Sequence, residues 1–231
     1  MLRRHPEAKL RHLPLFVLLI ISLYVYNQVM AVIISADEIK KSLPNYSPEK
    51  AEEFHSVSAK QADKEFESVL KTSQFEKVIL LNGGSASGKT EFLMTQLEKR
   101  HCVIFDGTLQ TPEGARVKLE RIVKVNKKPI IFSVIPDDLG RAFIAFLHRD
   151  RRFSSSHFYK THSGSRKTLL WITEHFPTIE INLIESSYTR GQKMVFKELV
   201  FNDRQELLHY LKKIQKDEAD IMKIVNDQLV G

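Results

Sequence analysis

The sequence predicts an α/β fold: a three-layer α/β/α sandwich on a mostly parallel sheet, with a small helical lid. Three observations carry that prediction. Short apolar runs alternate with segments of helical periodicity, the pattern of parallel strands joined by right-handed crossovers. One run ends in a glycine-rich stretch that leads straight into a helix. Acidic residues fall where two later runs end, at the sheet edge where such folds collect ligands.

At 231 residues the chain suits one domain with peripheral additions. Its 42% hydrophobic and 27% charged residues are enough for a core and a solvated surface. The formal charge of +7 comes from scattered basic residues, with no Lys/Arg run interleaved with aromatics. That pattern favours basic side chains gathered around phosphates over a nucleic-acid partner. The single cysteine, Cys102, lies in an apolar run; it excludes an internal disulfide and a Cys-rich zinc site, and fits a reducing compartment.

Residues 1–34 form the first segment. Arg3, Arg4, Lys9 and Arg11 precede an apolar run from Leu13 to about Ile34. Three readings stay open: a cleaved leader, a membrane anchor through residues 13–34, or an extension upstream of a start at Met30. The domain then occupies 35–231. Ser47-Pro48 signals a helix start, and apolar residues at three- and four-residue spacing from Ala51 to Leu70 predict a helix over 48–71. Val78 to Leu81 is a buried strand, and Glu91 to Arg100 a helix. His101 to Phe105 is a second strand, Pro112 to Asn126 a helix, and Pro129 to Ile135 a third strand. Leu139 to Leu147 is helical, and His148 to Arg152 is basic. Ser154 to Ser165 is polar, Thr168 to Phe176 helical around Trp171, and Ile179 to Ile184 alternates as a strand. Met194 to Phe201 is a further short strand. A stripe of Leu207, Leu208, Leu211, Ile214, Ile221 and Ile224 predicts a C-terminal helix over 203–227.

The chemistry centres on Gly83-Gly84-Ser85-Ala86-Ser87-Gly88-Lys89-Thr90, which has the form G-x-x-x-x-G-K-[ST] between strand and helix. Glycines there let backbone N–H groups approach a phosphate chain, and the positive end of the helix dipole adds attraction. Lys89 can reach the β- and γ-phosphates, and the Thr90 hydroxyl can ligate Mg²⁺. A chance Gly/Ser loop would lack the flanking strand and helix. The motif makes the predicted sandwich one of P-loop NTPase type.

Phosphoryl transfer also needs a carboxylate near the acceptor or the metal, and cations on the migrating group. Asp106, at a strand end before Gly107, is a candidate general base or Mg²⁺ partner; its plain alternative is an Asp-Gly turn. Asp137 and Asp138 follow a strand, and one is explained as a helix cap. Arg149, Arg151 and Arg152 stand where a lid arginine would stabilise the transferring phosphoryl, or simply end a helix. Lys160, His162, Arg166 and Lys167 are further basic candidates, each read as a surface position rather than a catalytic one, and His55 reads as structural rather than catalytic. Ser154-Ser155-Ser156-His157 is a polar loop, not a nucleophile elbow.

The series GGSASGKT, then FDGTL, then an apolar strand, then RDRRFSSSHFYKTHSGSRKTLL resembles the zeta-toxin-like P-loop kinases. The likeness covers about Phe75 to Ser186 and an upstream helix. It implies ATP-dependent phosphorylation of a small-molecule hydroxyl, with UDP-N-acetylglucosamine or another metabolite as acceptor, Mg²⁺ as cofactor and an antitoxin-like protein as partner. By that resemblance Lys89 and Thr90 hold phosphate and Mg²⁺, and Arg152, before FSSSHF, is the lid arginine at the γ-phosphate. The toxins carry one acidic strand end soon after the first helix and a separate acid-Gly-Thr strand later. Here Asp106 stands only seventeen positions after Lys89, and one strand stands for both. An ATP-dependent domain belongs in the cytoplasm, which favours the start at Met30 over export. The rival reading is a non-catalytic or regulatory nucleotide-binding module, or a simple NTPase.

Overall fold

The computed structural model describes residues 31–230. Six strands form one sheet in the order β1-β3-β2-β4-β5-β6. They are β1 (Val32–Ser35), β2 (Lys77–Asn82), β3 (Val103–Asp106), β4 (Lys128–Pro136), β5 (Glu180–Ser187) and β6 (Val195–Leu199). The first five positions pair in parallel, and β6 closes the far edge antiparallel to β5. The fold is α/β, with a mostly parallel sheet flanked by helices.

The alternation along β2 divides the core. Val78 and Leu80 face one side of the sheet; Ile79 and Leu81 face the other. The first side is covered by four helices: α2 (His55–Thr72), α4 (Pro112–Lys124), α6 (Ser155–His175) and α7 (Arg204–Lys213). The short α1 (Ala36–Lys41) packs against α2. Phe66 of α2 is fully buried, its ring 5.0 Å from that of Phe105. Truncating it to alanine should cost about 3–5 kcal/mol. The second side is covered mainly by α3 (Lys89–Phe92) and its π-helical continuation Leu93–Leu97, which bury Phe92, Leu93 and Leu97. A third apolar cluster joins α5 (Leu139–Leu147), α6 and the final helix α8 (Glu218–Val230) around Phe143, Phe146 and Phe158.

Several boundaries differ from the sequence reading. β1 lies inside the apolar run ending at Ile34: Ile33 and Ile34 pair with Ile104 and Phe105 of β3. The domain therefore includes the end of the segment set apart as 1–34, while the leader, anchor or extension reading of residues 1–30 lies outside the described residues. No helix among the described residues is long and apolar enough to cross a membrane. The helix expected over 48–71 begins only at His55. Ser47 makes no side-chain cap, Pro48–Lys50 is a single 3₁₀ turn, and Glu52 is drawn away to accept from the Ser154 backbone N–H and hydroxyl. The polar stretch from Ser155 is not a loop; it is the first half of a 21-residue helix. The helix expected over 203–227 is two. Gln215 donates to the carbonyls of Arg166 and Leu211, and Asp217 restarts the helix by accepting from the Asp220 N–H.

Candidate active site

The carboxyl ends of β1, β2 and β3 meet at one cavity of about 350 Å³. β2 ends at Asn82, a buried amide that ties neighbouring segments together. It donates to the carbonyls of Thr108 and Ser165 and accepts from the Ser133 hydroxyl at 2.7 Å. The loop then turns at Gly83, where φ is +140° and a Cβ would stand 2.3 Å from the Val134 carbonyl oxygen. No side chain fits there.

The carbonyls of Gly83, Gly84, Ser85 and Ser87 each turn to a partner. Lys89 Nζ donates to Gly83 O and Gly84 O, both at 2.8 Å. Ser186 Oγ donates to Ser87 O at 2.8 Å. His162 Nε2 lies 2.8 Å from Ser85 O, and Thr161 Oγ1 accepts from Ser85 N–H. Ala86 takes a left-handed φ of +60°. The N–H groups of Ala86 and Gly88 make no hydrogen bond to the described residues. Turned-back carbonyls and free amides form a cradle for an anion.

Lys89 is 9% exposed, and burial pulls its pKa down to about 8 against the raising effect of Asp106. An anion in the cradle would raise it again. Burial raises the Asp106 carboxyl, and Lys89 partly offsets this. Asp106 Oδ2 accepts from Thr90 Oγ1 and Ser35 Oγ, each at 3.5 Å. A hydroxyl and a carboxylate side by side are the donor set for a hard divalent cation. Among the described residues no three His, Cys, Asp or Glu side chains cluster into a cage. Mg²⁺ held by Thr90 and Asp106 would thus complete its shell with water and substrate oxygens, as Mg²⁺ prefers.

Sequence reasoning missed the second carboxylate, Asp37. β1, upstream of the loop, lies beside β3, and the turn of helix that follows it brings Asp37 to the same cavity as Asp106. Burial would raise Asp37, but Arg151 and Lys40 outweigh it and hold the carboxyl at about 2. Arg151 forms an ion pair with Asp37, and Lys40 Nζ reaches it at 3.2 Å. Lys40 is fully buried, stacked 4.8 Å from the Phe153 ring.

The lid arginines divide. Arg149 and Arg151 line the cavity. Burial, with the neighbouring Arg151 charge, lowers Arg149 to about 10, so it stays a cation at neutral pH. Arg152, expected at the γ-phosphate, faces away. Its N–H is anchored to Pro48 O at 2.9 Å, and its exposed side chain lines a separate groove with Glu49 and Glu52. The anchoring of Ser154 by Glu52 turns the chain there. Arg149 and Arg151, and not Arg152, therefore share the cavity with the Gly83–Thr90 loop.

His55 and His157 complete the wall, packed against Phe153 with ring centroids 5.8 and 4.4 Å away. Burial, helped by His55, pushes His157 down to about 4, so it is neutral at pH 7. His55 Nδ1 is buried with no partner among the described residues. Asp137 and Asp138 lie outside the cavity. Asp138 caps α5 at the Arg141 N–H, and Asp137 binds the Arg141 side chain and the Ser187 hydroxyl. Lys160 and Lys167 are exposed, as read; His162 and Arg166 are buried, against expectation, under the loop and behind it. A scan against protein-family models finds no match for the chain, and a search of the curated proteins finds no relative.

Proposed function

We propose that the protein is a P-loop kinase, transferring the γ-phosphoryl of ATP to a hydroxyl of a small molecule. The observation that carries this reading is the convergence of the Gly83–Thr90 cradle, two carboxylates and two arginines on one cavity. A binding module needs the cradle alone. The space beyond Asp106, walled by Asp37, His55 and His157, is what an acceptor needs.

In this reading the free amides and Lys89 hold the phosphate chain. Thr90 and Asp106 hold Mg²⁺, which would neutralise phosphate charge when bound. Arg149 and Arg151 meet the charge that develops on the migrating group. The acceptor oxygen bonds to phosphorus as the bond to the β-phosphate oxygen breaks, and the hydroxyl proton passes to a carboxylate. Asp37, whose side chain is 40% exposed, is the carboxylate left for that role when Asp106 is taken up with Thr90 and the cation. A phosphate in the cavity would compete with Asp37 for Arg151. Its departure toward the phosphate would free the carboxylate and raise its basicity.

The zeta-toxin-like pattern makes UDP-N-acetylglucosamine the first acceptor to try, and an antitoxin-like protein the partner to seek. Incubation with γ-labelled ATP, Mg²⁺ and a panel of nucleotide sugars and metabolites tests the proposal. Label should move to one acceptor class in the wild type and to none in Lys89→Ala. Label released only as inorganic phosphate would favour an NTPase.

A further inference from the structure

Behind the loop lies a second cavity, of about 250 Å³, lined among others by Arg166, Tyr210, Lys216, Glu185 and Asp137. We propose that it binds a small carboxylate- or phosphate-bearing metabolite, held by the Arg166 guanidinium, and that occupancy is felt at the phosphate cradle.

Arg166 is 5% exposed, yet no carboxylate among the described residues pairs with it. Its Nη1 donates to His162 O at 3.0 Å and lies 3.3 Å from His162 Nδ1. A guanidinium carries five N–H donors, so those on Nε and Nη2 remain without a partner among the described residues. Neither nitrogen is among the fully enclosed unpartnered atoms, so both open on the cavity, where an anion would meet them. A planar oxyanion would accept two parallel hydrogen bonds from the fork. Tyr210 and Lys216 line the same space.

The acidic side chains of the cavity do not close it to an anion. Asp137 is bound by Arg141 and Ser187, and Asp138 by the α5 N-terminus and Arg141. Glu185 remains, positioned to accept from a hydroxyl or ammonium group of the ligand. The volume lies below that of pockets for drug-sized molecules, which limits the ligand to a small metabolite.

The link to the cradle is a chain of contacts. Arg166 faces His162 Nδ1, which places the ring proton on Nε2, and Nε2 then donates to Ser85 O at 2.8 Å. Arg166 thereby positions the ring that pins the loop. A ligand that fixes Arg166 must alter affinity at the cradle, and an anion in the cradle must alter affinity here by the same factor. This coupling rests on the cradle binding a nucleotide; the second site itself does not.

The test uses the full chain carrying Lys89→Ala, which removes phosphate binding at the cradle. Thermal unfolding is followed against inorganic phosphate, succinate and malate. At least one should raise Tm saturably, with malate stronger than succinate if Glu185 takes its hydroxyl. Adding Arg166→Met should abolish the rise, and adding Lys216→Ala should weaken binding by at least about tenfold. No rise with any of the three, or an equal rise in the Arg166→Met protein, overturns the site. If Arg166→Met does not fold, unchanged affinity in Lys216→Ala overturns it instead. In the wild-type chain, saturating anion should shift nucleotide affinity, and an unshifted affinity overturns the coupling. Failure of the wild type to bind nucleotide at all would strike the kinase reading and leave the Lys89→Ala result standing.

Discussion

Asp37 and Arg151 form an ion pair at the cavity, joining the end of the first strand to the segment between α5 and α6. Asp37 is held near 2, below its ordinary 3.8, so the pair contributes stability above about pH 4 and loses it as pH falls toward 2. The Asp37 side chain is 40% exposed, which limits the contribution to under about 1 kcal/mol after solvent screening. Arg151→Ala should therefore move the acid-unfolding midpoint to higher pH. Coincident acid transitions by circular dichroism would remove the pair from the stability account.

In the proposed kinase the same pair bears on turnover. Asp37→Asn should lower kcat by about 10²-fold or more while leaving ATP affinity within a few-fold, because the acceptor proton loses its carboxylate. A loss confined to ATP affinity would move Asp37 from the acceptor to the nucleotide side.

Arg149 and Arg152 are predicted to part company. Arg149→Ala removes a cation facing the cavity and should cost about 10²-fold or more in kcat. Arg152→Ala, in a separate groove, should leave kcat and KM unchanged. Equal defects in the two variants would contradict the assignment.

Lys89 gives a signature in the free protein. With its pKa lowered to about 8 by burial, the folded chain sheds that proton before the unfolded chain does, so stability rises from about pH 8 to 10. Lys89→Ala should flatten this slope, and bound nucleotide should suppress it. Denaturant titrations across that range measure both; an identical slope in Lys89→Ala would mean the lysine is not the titrating group.

Gly84 sits against the His162 ring, where an added Cβ would stand 2.3 Å away. Gly84→Ala should destabilise by about 1–3 kcal/mol through overpacking. His162→Ala in the same chain should recover part of that loss, and strict additivity in the double-mutant cycle would deny the contact.

The loop and its flanking strand and helix were legible because glycine spacing and an apolar run are local signals. β1 was hidden, since Val32 to Ile34 merely continue a long apolar run, and four strand residues carry no separate periodicity. Asp37 went unread with it: an acid in the first turn of a helix looks like a response to the dipole. His162 and Arg166 read as surface because polar residues on a helix ordinarily face water, and only the loop packed above makes their face an interior one. Arg152 drew the assignment by its place in the sequence. The anchoring of Ser154 by Glu52, across 102 residues, decides which arginine turns inward, and no local pattern encodes it.

The place of β1 has a consequence for the order in which the protein assembles. Its contact with β3 brings together residues as far apart as Ser35 and Asp106, 71 positions along the chain. β3 and the loop strand β2 lie much closer in sequence. Closing the longer span carries the greater chain-entropy cost, so docking of the first strand belongs to the slower part of folding. Until it docks, Asp37 is not at the cavity, and the cradle forms ahead of the centre it serves.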